Sequence, residues 1–120
     1  MTKISCEHEK KHEEAVQKAK ENVLSIADVE KICGIFHLLS EPSRFKIVLA
    51  LLQGEMCVYH LLEVCDSTKS ALSHQLRILK DNNIVKARRF GKNIEYSIAD
   101  MHVREIIEKG IAHLHCAKEE

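Results

Sequence analysis

The sequence predicts a mainly α-helical domain that carries one small β-hairpin. Three observations lead to this expectation. The residues that interrupt helices are scarce, with four Gly and one Pro in 120 residues. Apolar residues recur at the helical period of 3.6 over most of the chain. The pattern changes to that of strands only in two short runs, 84–89 and 93–98.

The N-terminal half is expected to contain an arm and two helices. Residues 1–22 are polar and heavily charged, which indicates a flexible arm or a surface helix ahead of a domain over 23–120. A first core helix is predicted over 26–40, where apolar residues recur at helical spacing. Pro42 ends that helix and opens the next one, over 43–52.

Two short helices, over 58–64 and 67–81, come next and are separated by a tight connection, which is typical of a helix-turn-helix. The two predicted strands follow, joined around Phe90-Gly91-Lys92. A final helix begins near Asp100. This order of elements is that of a winged helix-turn-helix domain, with the hairpin as its wing.

Composition excludes several classes of protein. The longest apolar run, 47–52, has six residues, which is too short to span a membrane or to form the core of a signal peptide. We therefore expect a cytoplasmic protein without a membrane partner. The five cysteines have no regular spacing, so a disulfide framework is not expected, and core packing or metal ligation explains them better.

The charge is unevenly distributed although the formal net charge is zero. Between residues 69 and 92 there are seven basic residues and one acidic residue, a local balance of +6. A basic stripe on a helix and a hairpin tip is typical of binding to double-stranded DNA. The candidate DNA-contacting residues are Thr68, Lys69, Ser70, Ser73, His74 and Arg77 on the helix and Arg88, Arg89 and Lys92 on the hairpin.

The last predicted helix carries metal-ligand residues at both ends, Asp100 and His102 at its start and His113 and Cys116 near its end. At about 1.5 Å rise per residue, the two histidines lie roughly 16 Å apart along the axis. Ligands to one zinc ion lie about 2.0–2.3 Å from it, so one straight helix cannot close the site. An antiparallel copy can, which predicts two inter-subunit zinc sites in a homodimer. Asp100 is also a candidate N-cap.

Four stretches together resemble the ArsR/SmtB family of bacterial metal-sensing repressors: 38–44 (LLSEPSR), 57–61 (CVYHL), 70–79 (SALSHQLRIL) and 91–97 (GKNIEYS). The resemblance covers residues 26–117. It implies a homodimer that binds its operator when metal-free and releases it when metal binds, so that efflux or sequestration genes are expressed. It also implies that the last helix forms much of the dimer interface.

In zinc-responsive members of that family the last helix has Asp-x-His followed by His-x-x-His or His-x-x-Glu. This chain matches at Asp100, His102 and His113 and has Cys116 at the fourth position, with His115 as the alternative ligand. Cysteine preserves zinc binding but favours softer ions. We therefore expect Zn(II) as effector, with Cd(II), Co(II) and Ni(II) as the other candidates.

The resemblance implies a second metal site in some family members, between the N-terminal arm and the first helix of the helix-turn-helix. Cys57 and His60 stand at that place here, and the arm offers Cys6, His8 and His12. The spacing of these arm residues differs from the family pattern. The alternative is a buried Cys57 and a solvated arm.

Three other functions compete with metal sensing. His8-Glu9-x-x-His12 fits the zinc-hydrolase signature, but it lies near the chain start among lysines without an apolar face, so we expect no enzyme. A redox-responsive repressor would use Cys33, Cys57 or Cys65, although Cys33 and Cys65 are expected in the core. A winged helix that only contacts proteins would lack salt-dependent DNA binding.

Overall fold

The computed structural model describes residues 9–118, which form six helices and a three-stranded sheet. The elements are α1 (Glu9–Asn22), α2 (Ile26–Leu39), α3 (Pro42–Leu51), β1 (Met56–Cys57), α4 (Val58–Val64), α5 (Lys69–Asp81), β2 (Val85–Phe90), β3 (Asn93–Ile98) and α6 (Met101–Lys118). The order confirms the predicted winged helix-turn-helix. In the part of the chain that the structure describes, no helix has the length and apolarity needed to cross a membrane.

The chain divides into two compact units, one up to Cys33 and one from Gly34 onward. In the first unit, the described side chains of α1 and of the first part of α2 are all exposed, including Val29, Ile32 and Cys33. The prediction that Cys33 packs in the core was therefore wrong. The described residues of its own unit do not cover the apolar face of this helix, which helical spacing alone could not reveal.

The second unit contains the hydrophobic core, to which α3, α4, α5, α6 and the sheet all contribute. Its largest fully buried side chains are Ile47, Val48, Leu51, Leu61, Leu72, Leu76, Leu79, Ile84 and Val85. The sheet is antiparallel with the order β1-β3-β2. The two-residue strand β1, which the sequence did not predict, pairs through Met56 with Tyr96 and through Cys57 with Glu95.

The hairpin of β2 and β3 closes over Gly91 and Lys92, since Phe90 and Asn93 are the last paired residues. Gly91 has φ +64°, which suits the first central position of a type II′ turn and is unfavourable for residues with a Cβ. Lys92 is exposed at the tip of this hairpin, where the sequence predicts a basic wing.

Helix α5 has one apolar face, formed by Leu72, Leu76 and Leu79, which are all buried. Their spacing of four and three residues brings them to one side of the helix. Ala71 is exposed, because it lies one residue before that stripe. Gln75 and Ile78 are half-buried beside this face, and the other residues of α5 are exposed.

Helix α6 begins after Asp100, whose carboxylate accepts a hydrogen bond from the Val103 backbone N–H at 3.0 Å, which confirms the N-cap. Ile107 is buried in the core, and Val103 and Ile111 pack against it. Ile106 and Leu114, which continue this apolar stripe at helical spacing, remain 44% and 57% exposed. Part of the stripe is therefore uncovered within one protomer.

Candidate functional site

The predicted DNA-contacting residues lie on the exposed side of α5 and on the hairpin. All nine of them are exposed: Thr68, Lys69, Ser70, Ser73, His74, Arg77, Arg88, Arg89 and Lys92. The buried leucines of α5 hold this helix against the core and leave the other face free. The arrangement suits insertion of α5 into a major groove, which is wide enough to admit one helix.

The start of α5 combines a cap and a cation. The Thr68 hydroxyl accepts a hydrogen bond from the Ala71 backbone N–H at 3.1 Å, so this side chain is the N-cap of α5. Lys69 Nζ donates to the hydroxyl of Tyr59 on α4 at 3.0 Å and lies 4.9 Å from the centre of that ring. The exposed Tyr59 thus shares a surface with the predicted DNA-contacting residues.

On the wing, Arg88 is engaged by a carboxylate. Its Nε lies 2.8 and 3.1 Å from the two carboxylate oxygens of Glu55, and its NH2 group also donates to Glu55. This hydrogen bonding raises the pKa of Arg88 and lowers that of Glu55 from its usual value. Part of the positive charge that was predicted to contact DNA is therefore neutralised by Glu55. Arg89 and Lys92 are also exposed near the hairpin tip.

A bridge within the protein holds the middle of α5. Arg44 on α3 donates from Nε to the Gln75 side-chain oxygen at 2.9 Å and from NH1 to the Leu38 carbonyl oxygen at 3.2 Å. Gln75 is half-buried. Arg44 therefore links the end of α2, its own helix and the recognition helix α5.

The last-helix metal-ligand residues all lie on one continuous helix or at its cap, and all four are exposed. Asp100 accepts the cap hydrogen bond, and its carboxylate lies 3.6 Å from Nδ1 of His102, whose side chain is 91% exposed. His113 and Cys116 occupy the last turns of α6. The continuity of the helix preserves the separation of roughly 16 Å between the histidines.

Over the described residues of one protomer, no three His, Cys, Asp or Glu side chains lie close enough together to hold an ion. A groove of about 530 Å³ beside His102, Glu105, Ile106 and Lys109 lies open along the same helix.

Only some of the ligands predicted for the second metal site lie within the described residues. Cys57 Sγ lies 3.4 Å from Nδ1 of His60, so these two residues form a pair of donors at the start of α4. Cys57 is buried and His60 is exposed. His12 lies on α1, whereas Cys6 and His8 lie outside the described residues.

The cysteines of the redox alternative have different environments. Cys65 is buried, as expected, and burial raises the pKa of its thiol, against a smaller opposite effect of Lys46. A higher pKa means less thiolate and a less reactive sulfur. Cys57 is also buried, and Cys33 is exposed.

Three residues at this surface were not predicted as functional: Arg44, Glu55 and Tyr59. Their partners lie 31, 33 and 10 residues away in sequence. Such pairs follow no helical or strand period, so a single sequence carries no local signal for them. The exposed aromatic Tyr59 within the helix-turn-helix is the one hint that the sequence offered.

Comparison with known proteins agrees with this geometry. The profile "Bacterial regulatory protein, arsR family" matches residues 41–87, from the start of α3 into the wing. A "Transcriptional repressor SmtB homolog" of Synechocystis sp. is 37% identical over 91% of this chain and 83% of its own length. A "Cadmium resistance transcriptional regulatory protein CadC homolog" of Staphylococcus aureus is 37% identical over 94% and 93%.

Solved structures lead to the same assignment. The AntR antimony-specific transcriptional repressor superposes with a TM-score of 0.72 at 29% identity, over 82% of this chain and 90% of that one. Apo-NmtR superposes with a TM-score of 0.66 at 33% identity, over 76% of each chain. These relatives are DNA-binding regulators of transcription and not enzymes. The chain belongs to the arsR family of bacterial regulatory proteins.

Proposed function

We propose that this protein is a metal-released transcriptional repressor of the cytoplasm. The metal-free homodimer binds double-stranded operator DNA through α5 and the wing. Binding of Zn(II) to the last helices weakens that complex, so that genes for metal efflux or resistance are transcribed. The observation that carries this proposal is the exposure of Asp100, His102, His113 and Cys116 along one continuous α6.

The donor set fits zinc. One carboxylate, two imidazoles and one thiol are the oxygen, nitrogen and sulfur ligands that zinc accepts in tetrahedral sites. The thiol of Cys116 also suits Cd(II), and Co(II) and Ni(II) bind similar donors. When bound, the ion would crosslink α6 of one protomer to α6 of the next. Because Asp100 Oδ1 already lies near His102 Nδ1, these two ligands need little rearrangement to approach one ion.

The uncovered apolar surface supports the dimer that this site requires. A groove of about 300 Å³ lies between α2 and α6 and is lined by Phe36, Leu39, Ser40, Phe45, Ile106, Ile107 and Gly110. Exposed apolar side chains that form one patch are typical of a protein interface. A two-fold dimer through this surface would bring the two copies of α6 together.

Named relatives support the effector class. One is called a cadmium resistance regulatory protein and another an antimony-specific repressor. These names describe those proteins, and here they support metal or metalloid ions as the class of effector. The Cys57 and His60 pair is proposed as half of a second site, which would be completed from the arm by Cys6, His8 and His12.

The route from ligand to DNA is the spacing of the two α5 helices. A dimer reads two half-sites about one helical turn apart, so a change in the relative position of the protomers weakens binding. By thermodynamic linkage, DNA must weaken metal binding by the same factor. The leucine face and the Arg44 bridge anchor α5 in its protomer, so a movement of the protomer moves the recognition helix with it.

The experiment compares two neighbouring histidines. We expect His113→Asn to bind operator DNA as tightly as the wild type but to lose at least tenfold of the zinc-induced weakening, as measured by fluorescence anisotropy. His115→Asn is the matched control, since it removes the same group two residues further along α6. Unchanged zinc release in His113→Asn would contradict the proposed site. Loss of release in His115→Asn with normal release in Cys116→Ser would identify His115 as the fourth ligand.

The redox alternative receives less support because two of its three cysteines are buried. Its test uses Cys33→Ser and Cys65→Ser. We expect both variants to retain zinc-dependent release, whereas a repressor regulated through these thiols would lose its response to oxidant in at least one of them.

A further inference from the structure

We propose that Tyr59 is a positioning residue for DNA binding: it holds the ammonium group of Lys69 at the start of the recognition helix for contact with a DNA backbone phosphate. This inference rests on the DNA-binding role of α5 and not on zinc release. It assigns a function to an exposed aromatic residue that is 58% accessible and packs its ring into no apolar cluster of the core.

The position of Lys69 calls for an explanation. It is the first residue of α5, and the first turn of that helix contains no acidic residue. A cation at a helix N-terminus is unfavourable, because the helix dipole already places partial positive charge there. Helix stability therefore does not account for Lys69, whereas a ligand with negative charge would.

Tyr59 fixes this side chain in two ways. Its hydroxyl accepts a hydrogen bond from Lys69 Nζ at 3.0 Å, and its ring lies 4.9 Å from the same atom. An ammonium has three donors, of which the phenol uses one, and the phenol retains its own O–H as a donor. The pair therefore keeps unused donors on an exposed surface.

The backbone around Tyr59 is rigid enough for this role. Cys57 and Leu61, two residues before and after it, are both buried, and they anchor the start of α4 in the core. A lysine loses considerable rotamer freedom when it binds at one place. A ring that already restrains Lys69 reduces that loss at the moment of binding.

Lys69 also differs from Arg88, one of the basic residues of the wing. Arg88 is paired with the carboxylate of Glu55, which reduces its net charge toward DNA. The contacts described for Lys69 are with the neutral Tyr59. A lysine that binds phosphate benefits from a side chain that is held in place and keeps its positive charge.

The test is a double-mutant cycle on the full-length, reduced, metal-free protein, with fluorescence anisotropy on the DNA upstream of its own gene. We expect Lys69→Met to weaken binding about tenfold for the dimer. It should also reduce the slope of log K against log salt by about two, one phosphate for each protomer. Tyr59→Leu should weaken binding about fivefold alone but less than twofold in the Lys69→Met background.

Tyr59→Phe keeps the ring and removes only the hydroxyl, so it should weaken binding about twofold and fold normally by circular dichroism. Tyr96→Phe, which removes the same atom from the other tyrosine, is the matched control and should leave affinity unchanged. An equal effect of Tyr59→Leu in both backgrounds would overturn the proposal, because Tyr59 would then act independently of Lys69. An unaltered affinity or salt slope in Lys69→Met would overturn it as well. Failure of zinc release in the wild type would refute the proposed function but leave this result intact.

Discussion

Three helices of the second unit begin at a polar side chain that accepts hydrogen bonds from backbone N–H groups. Glu41 accepts from Ser43 and Arg44 at 3.1 and 2.9 Å before α3. Thr68 and Asp100 cap α5 and α6 in the same way. Helix starts leave such donors without partners inside the helix, so these caps determine where α3, α5 and α6 begin.

The cap of α3 makes stability depend on pH. The backbone N–H groups of Ser43 and Arg44 lower the pKa of Glu41 from its ordinary value of 4.5. A lowered folded-state pKa contributes stability above pH 4.5, and that contribution is lost as pH falls through the folded value. We therefore expect Glu41→Ala to lower the urea midpoint at pH 7 and to differ less from the wild type at pH 3, at one fixed protein concentration. An equal difference at both pH values would contradict this role.

Single-residue roles were predictable where they depend on local spacing. Asp100 was predicted as a cap because such residues precede apolar helical patterns. Tyr59 and Arg44 were not predicted as functional, since their roles depend on α5 side chains that only the folded structure brings close to them. The exposure of Cys33 was also unpredictable, because an apolar stripe does not say whether the same chain covers it.

At the scale of elements, α5 is held by its leucine face and by the bridge from Arg44. Arg44 reaches the Leu38 carbonyl and the Gln75 side chain at once. The bridge fixes the rotation of the recognition helix relative to α3 and to the end of α2. The side-chain oxygen of Gln75 is thereby used for a contact within the protein.

Arg44→Ala should therefore weaken DNA binding through position rather than charge. It leaves a carbonyl and an amide without their partner, which destabilises the fold by about 1–3 kcal/mol. We expect weaker binding with an unchanged salt slope, because Arg44 does not neutralise a phosphate. The matched variant Arg77→Ala, on the exposed face of α5, should reduce the slope by about two for the dimer. A comparable loss of slope in Arg44→Ala would show that this arginine contacts DNA directly.

The bounds of most elements followed from the sequence. Helix α4 runs over 58–64 as predicted, and α3 begins at Pro42, one residue earlier than expected. Strand β1 was missed because two residues are too few to show an alternating pattern. It forms only because β3 offers an edge to pair with, which is a property of the assembled sheet.

In the molecule as a whole, part of the apolar surface of α6 is left uncovered by its own protomer. Ile106 borders both the groove beside His102 and the groove between α2 and α6. We expect Ile106→Glu to shift the protein toward monomer in analytical ultracentrifugation, because a carboxylate would be buried without a partner. Val64→Glu, at a similarly exposed apolar position on α4, should remain dimeric. Dimerisation of Ile106→Glu at wild-type strength would place the interface elsewhere.

The inter-subunit site was predicted from sequence because helix geometry alone excludes closure within one chain. The fold of each protomer followed from periodicity and turn residues. The identity of the ion could not be predicted from the sequence, since the affinities of divalent metals overlap for the same donors.

We propose that metal binding to this homodimer releases operator DNA. The most direct test is fluorescence anisotropy of the reduced, metal-free protein on the DNA immediately upstream of its own gene, titrated with Zn(II) at fixed salt. We predict tight binding that weakens at least tenfold when about one zinc ion per protomer has been added. Tight binding that no addition of Zn(II), Cd(II), Co(II) or Ni(II) alters would contradict the account.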